Sequence, residues 1–257
     1  MSEISRQDEF FVGYLATPSN LRRFLAAFVV ALFATLALVA WELASGQRNP
    51  GNGSWNLSDT TKLVGTIHLA PAPLVRIAER DGTATSVLLV DQGKIGAARR
   101  IEFLDGKTAK LRGHLLVRGP LKILELNDDI ASIQPLEASA LLPPLSRPDL
   151  RFEDALLTGQ IIDPKCFAGA MKPGDGKTHK SCAALCLRGG IPPVFVTNES
   201  AQSGHYLVID ETGKSPTGAV LDELIGFAGD PIQIRGRVAQ WHDLRILKID
   251  PGAVQRR

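Results

Sequence analysis

One long apolar run stands near the start of the chain, and many short ones come after it. Phe24 to Trp41 (FLAAFVVALFATLALVAW) carries no charged residue. In a helix rising about 1.5 Å per residue, Phe24–Leu43 would span roughly 30 Å, the thickness of a bilayer's hydrocarbon layer. Trp41 stands at one end, where an amphipathic ring favours the interface. Arg22 and Arg23 stand at the other, where a positive pair tends to stay in the cytoplasm. The pattern predicts a cytoplasmic segment over 1–23, a transmembrane helix over 24–43 and export of the rest of the chain. A cleaved signal peptide is the competing reading, but its apolar core and its leader are usually shorter. Residues 44–60 include QRNPGNGSWNLS and read as a linker.

Beyond the linker the apolar positions come in short β-type runs. Leu63–Ile67, Thr85–Asp91, Ala109–Val117 and Leu121–Leu126 read as strands, the last two as a hairpin around Arg118-Gly119-Pro120. A second set begins at Leu157–Ile162 and continues with His205–Asp210. Leu111-Arg112-Gly113-His114-Leu115 is echoed by Ile234-Arg235-Gly236-Arg237-Val238, and Leu121–Leu126 by Leu244–Ile249, both at an offset of 123 residues. That is the mark of an internal duplication. A glycine inside each L/I-R-G strand suits the bend or close backbone approach of a small closed barrel. The prediction is therefore one N-terminal transmembrane helix followed by a mainly β chain of two tandem small OB-like barrels. The first would cover 61–130 and the second 152–251, with a connector over 131–151 and a tail over 252–257.

The offset between the copies is 94 at Gly65/Gly159 and 119 at Asp91/Asp210, so the second copy has gained about 25 residues early on. This insert, 163–193, holds all three cysteines. Ser181–Leu187 reads as a short helix, ended by Gly189-Gly190 and kept from restarting by Pro192-Pro193. Cys182 and Cys186 are four apart and share one helix face. His179 lies at the helix start, and Cys166 arrives from the preceding strand. Cys166, His179, Cys182 and Cys186 could form a tetrahedral Cys3His metal site, with zinc, copper or an iron–sulfur centre as candidates and Met171 as a further soft ligand. A disulfide from Cys166 to Cys182 or Cys186, favoured by an oxidising compartment, and buried free thiols are the other readings. All three stay open at this point.

Composition narrows the function classes. With 44% hydrophobic residues the chain is not disordered, and three cysteines are too few for a disulfide-dense scaffold. A net charge of +2 gives no push toward nucleic acid. The barrels also have few aromatics and no basic stripe. No nucleophile elbow, zincin, phosphate-loop or dinucleotide motif occurs, which leans away from an enzyme and leaves the question open. His205 could face the insert, although a plain strand-end histidine is the simpler reading. Asp91 and Asp210 read as turn residues.

Gly159, Asp163, Cys166, Gly169, Met171, Pro173, Gly174, His179, Cys182, Ala183, Cys186, Gly189, Gly190, Pro192 and Pro193, with the early Gly13-Tyr14-Leu15 and Pro18, resemble a group of bacterial single-span membrane proteins of unassigned function. The resemblance implies a bacterial inner-membrane origin and a specialised second domain. It implies no reaction. The expected role is a non-catalytic, membrane-anchored periplasmic accessory protein, docking on another membrane or periplasmic protein such as a redox complex, with no nucleic-acid partner. A metal-binding or electron-transfer module is the alternative.

Overall fold

The computed structural model describes residues 17–46, 52–79, 83–136, 150–197 and 204–257. The aromatic leader, the start of the linker and residues 137–149 of the connector lie outside the described residues. The chain divides into two units, Met1–Asn49 and Pro50–Arg257.

In the first unit a single helix, α1 (Ser19–Gly46), encloses the apolar run. It starts where the Pro18 carbonyl accepts from the Leu21 and Arg22 amides, a position where proline's missing N–H costs nothing. None of its residues is buried, and large side chains such as Phe24, Phe33 and Trp41 are 65–73% exposed. The Thr35 hydroxyl is satisfied within the helix by the Ala31 carbonyl, as a polar group in hydrocarbon must be. It is one apolar helix long enough to cross a membrane.

The second unit is two closed barrels. A short strand β1 (Ser54–Trp55) leads into β2 (Thr61–His68), β3 (Leu74–Ala78), β4 (Ala84–Val90), a helical turn α2 (Ala98–Ile101), β5 (Thr108–Arg118) and β6 (Leu121–Leu126). Strand β2 pairs with β3 and β5, β3 with β4, and β5 with β6. The parallel pairing of β4 with β6 closes the ring and leaves no edge among these five. A strand β7 (Ile133–Pro135) adds to β5.

The same circuit recurs in β8 (Glu153–Ile162), helix α3 (Lys180–Arg188), β9 (Val194–Thr197), β10 (His205–Ile209), helix α4 (Gly218–Phe227), β11 (Ile232–Trp241) and β12 (Leu244–Lys248), with β10 parallel to β12. Strand β13 (Val254–Arg256) pairs with β11. Five strands closed in this order, with a helical segment between the third and fourth, are the OB-like topology expected of both copies. The duplication is visible atom by atom. A Cβ on Gly113 would meet the Glu125 carbonyl, and one on Gly236 would meet the Lys248 carbonyl, 123 residues later in both partners. The glycine is needed there for close strand approach rather than for its φ.

Some short elements fall in segments that composition marks as irregular. Strand β1 lies in the expected linker, β7 in the connector and β13 in the tail. Each is only two or three residues long and exists because a barrel strand offers it hydrogen bonds, a tertiary effect that local pattern does not carry. Helix α4 packs on the second barrel's core through Leu224 and Ile225, both buried.

The two barrels hold three cores. One fills each barrel. The third lies between the barrels and joins Leu88, Leu116 and Ile123 of the first to Phe167, Val194 and Ile246 of the second. Cys166 and Cys186 belong to this shared core.

Candidate metal centre

The insert between β8 and β9 is built by its own polar atoms. Asp163, fully buried, ends β8, and its Oδ1 accepts from the Cys166 amide at 2.9 Å. This is the capping geometry that a short acidic side chain offers a helical turn three residues on. A wide turn over 166–170 comes next, in which Gly169 takes a φ of 154° and packs against the Ser54 backbone of β1. The chain then returns through a 3-10 turn, Lys177–His179, into α3. The other carboxylate oxygen of Asp163 lies 3.1 Å from His179 Nε2. One aspartate therefore fixes both the backbone at Cys166 and the ring of His179, and that leaves Nδ1 as the atom the ring can offer a metal.

Helix α3 presents Cys182 and Cys186 one turn apart and ends where the Ile191 amide donates to the Cys186 carbonyl. The Cys166 and Cys182 sulfurs are 3.9 Å apart. Cys166, His179 and Cys182 form one group of converging ligand atoms, and Asp163, Cys166 and Cys186 form another, each within 4.8 Å. Cys166 belongs to both. Cys166, Cys186 and His179 are almost entirely buried, and Cys182 is partly exposed.

The expected disulfide is not present, and that reading is corrected. All three cysteines are free, and a sulfur separation of 3.9 Å is nearly twice the roughly 2.05 Å of an S–S bond. The Cys166 sulfur is shared by the two ligand groups, one with Cys182 and one with Cys186, and is bonded to neither. A metal with sulfur bonds of about 2.3 Å at tetrahedral angles sets its sulfurs about 3.8 Å apart, close to what is found here. Hydrogen bonding with Cys186, and then burial, push the Cys166 thiol far above its ordinary range, while the same bond lowers Cys186.

Two lysines join the site to the first barrel. Lys165, next to Cys166, is buried, and its Nζ contacts Glu125 Oε1 at 2.6 Å and the carbonyls of Asp91 and Gly93. Lys94, on the turn after β4, brings its Nζ to 2.7 Å from Cys182 Sγ. That contact holds the ammonium above its usual range. Phe167, also adjacent to Cys166, lies under the Arg118 guanidinium at 3.6 Å, and its carbonyl accepts a hydrogen bond from the same group.

Of the four predicted ligands, Cys166 converges with His179 and Cys182 in one group and with Cys186 in the other. Met171, the further soft ligand, is 48% exposed and outside both groups. His205 packs edge-on against Phe167 and is not among the converging ligands either. Neither Asp163, met in the sequence only among the residues of the resemblance, nor Lys94 stands out there as a site residue. For Asp163 there is a usable signal, its spacing three before Cys166. For Lys94 there is none, because its contact is tertiary. Comparisons with family models, curated proteins and solved structures found no match to this chain. The helix, the two barrels and the Cys/His cluster carry the functional reading by themselves.

Proposed function

We propose that this chain is a membrane-anchored metal-binding module. Cys166, Cys182, Cys186 and His179 hold one thiophilic ion at the joint between the barrels. The single observation that carries this is the convergence of thiols and imidazole around Cys166, with Asp163 bonded to the far ring nitrogen. A carboxylate behind a ligating histidine fixes its tautomer and raises its basicity. These features favour metal binding over the accessory role expected from the sequence, which rests on missing motifs alone.

Ligation needs the thiols deprotonated, so uptake releases protons. Asp163 holds the His179 ring, the shared core excludes water from Cys166 and Cys186, and partly exposed Cys182 is the side from which an ion enters. Thiolate and imidazole suit zinc, copper(I) and iron–sulfur chemistry, and electron transfer is the narrower form of the proposal, requiring copper or iron. Arg22 and Arg23 support an inside N-terminus, and with it the reading in which the barrels lie in the periplasm of a bacterial inner membrane. A partner docking there would be another protein of the same membrane or compartment.

Metal analysis with thiol counting on full-length protein purified without chelator tests the proposal. The expected result is about one equivalent of a transition metal, with the thiols protected until a chelator is added. Less than about 0.2 equivalents of any such metal, with all thiols reactive, would overturn it.

A further inference from the structure

We infer that Lys94 of the first barrel is a positioning and charge-balancing residue of this centre, and that the centre is thereby suited to a divalent thiophilic ion. The inference rests on the proposed metal site and specifies it.

Lys94 is placed by the insert itself. Upstream of Cys166, the Lys165 ammonium grips the carbonyls of Asp91 and Gly93. Downstream of Cys186, the Gly189 carbonyl accepts from the Gly96 amide at 2.9 Å. A Cβ on Gly189 would strike the Lys94 carbonyl, so the two backbones pass in direct contact. The turn Asp91–Gly96 is therefore clamped from both ends of the cysteine segment, and Lys94 lies between the clamps with its Nζ on Cys182. The first barrel closes the turn itself, the Asp91 amide donating to the Ile95 carbonyl, and the insert fixes where the turn lies against Cys182. Lys94 is exposed, and its side chain hydrogen-bonds to the other barrel.

Counting charge gives the chemistry. Three thiolates and the Asp163 carboxylate bring four negative charges to a site whose other walls are apolar. Lys165 does not offset them, because Glu125 neutralises it. A divalent ion with Lys94 leaves one excess negative charge, whereas a monovalent ion leaves two, and each uncompensated buried charge is costly. The ammonium donates to a sulfur that retains lone pairs beyond the one a metal takes, so the contact is compatible with ligation. Hydrogen bonds to ligating sulfurs are a recognised way in which surrounding residues tune a metal site.

The test uses the full-length chain in detergent, stripped of metal and titrated with Co2+, then with Zn2+ and with Cu+. Wild type is expected to show the thiolate-to-cobalt charge-transfer band and to release cobalt to zinc. Lys94→Met should weaken cobalt binding about tenfold and move the charge-transfer band, with Lys94→Arg recovering most of both. Lys62→Met, at another exposed position on the first barrel, should match wild type. Binding by Lys94→Met within about twofold of wild type, with an unmoved band, overturns the role of Lys94 while leaving the metal site intact. Uptake of Cu+ without Co2+ or Zn2+ overturns the divalent assignment. Uptake of none of the three ions overturns the metal site itself.

Discussion

Between β2 and β3 the first barrel uses five residues, 69–73, while between β8 and β9 the second uses thirty-one, 163–193. The strands on either side are equivalent. Gly65 and Gly159 each press against a carbonyl of the next strand, that of Arg76 in one barrel and of Val196 in the other. The divergence lies in how far the side chains reach. In the first barrel's loop the Leu69 amide is satisfied within its own barrel by Asp105, and only a backbone carbonyl, that of Pro71, meets the other barrel, at the Ser215 amide. The second barrel's insert sends Lys165 to Glu125 and receives Lys94 at Cys182. Position 125 shows the same divergence, since its equivalent 123 residues on is Lys248, a cation rather than an acid. A duplicated fold thus became asymmetric at one loop, and the other copy supplies the groups that complete it.

The strongest way to break this relation is to cut the charge pair joining the copies. Lys165→Met leaves Glu125, 5% exposed, without a countercharge. Removing one member of a buried pair costs about 3–5 kcal/mol. The double variant Lys165→Met/Glu125→Leu should recover most of that loss, since an apolar pair of similar size is often neutral or better. Equilibrium denaturation of wild type, the two single variants and the double gives the coupling directly. If Lys165→Met alone cost under about 1 kcal/mol, the two barrels would not be joined through this pair.

A smaller effect is expected at the residue that organises the insert from within. Asp163→Ala removes the acceptor for both the Cys166 amide and the His179 ring. The His179 ring can move its proton to the other nitrogen, so the Cys166 amide is the buried donor left unsatisfied, and a loss of about 1–3 kcal/mol is expected without metal. Metal retention should fall about 10–100-fold, because the imidazole loses its orienting carboxylate. Asp163→Asn can still accept from the amide and should restore more of the stability than of the retention. Denaturation and chelator competition on the same preparations separate the two losses.

These sites differ in how far they can be read from sequence. The barrels are legible because Gly113 and Gly236 sit in matching strand patterns at a constant offset. The insert is legible because the offset shifts between Gly65 and Asp91. The clustering of Cys182 and Cys186 near Cys166 is legible because four-residue spacing places both on one helix face whatever the rest of the fold does. The disulfide expectation fails because spacing in sequence sets the length of a loop and not the direction from which Cys166 approaches. Lys94 and Glu125 stay hidden because their partners lie 88 and 40 residues away. Only closure of two barrels against a common core brings them within reach.

The smallest expected effect concerns His205, on the β10 edge that faces the first barrel, and it shows as a slope against pH rather than a loss at neutrality. Both ring nitrogens are buried without a hydrogen-bond partner. Burial first, then the charges of Arg118 and Arg245, push its pKa down to about 4 from an ordinary 6.5. Arg118 belongs to the first barrel, so part of this shift is itself a product of the joint. The folded state binds fewer protons than the unfolded state between these values, so stability rises with pH there. The contribution is complete above pH 6.5 and is lost as the pH falls toward about 4. His68 and His242 are also lowered, mainly by burial, and add to the acid limb with the same sign. His205→Phe keeps a ring against Phe167 and removes two unsatisfied nitrogens. It should leave stability at pH 7 unchanged or slightly higher and make the limb between pH 6.5 and 4 shallower. Denaturation midpoints measured across that range decide it. A limb of unchanged steepness would mean that His205 takes up its proton in the folded protein as readily as in the unfolded chain, and that the joint between the barrels is open to water at that edge.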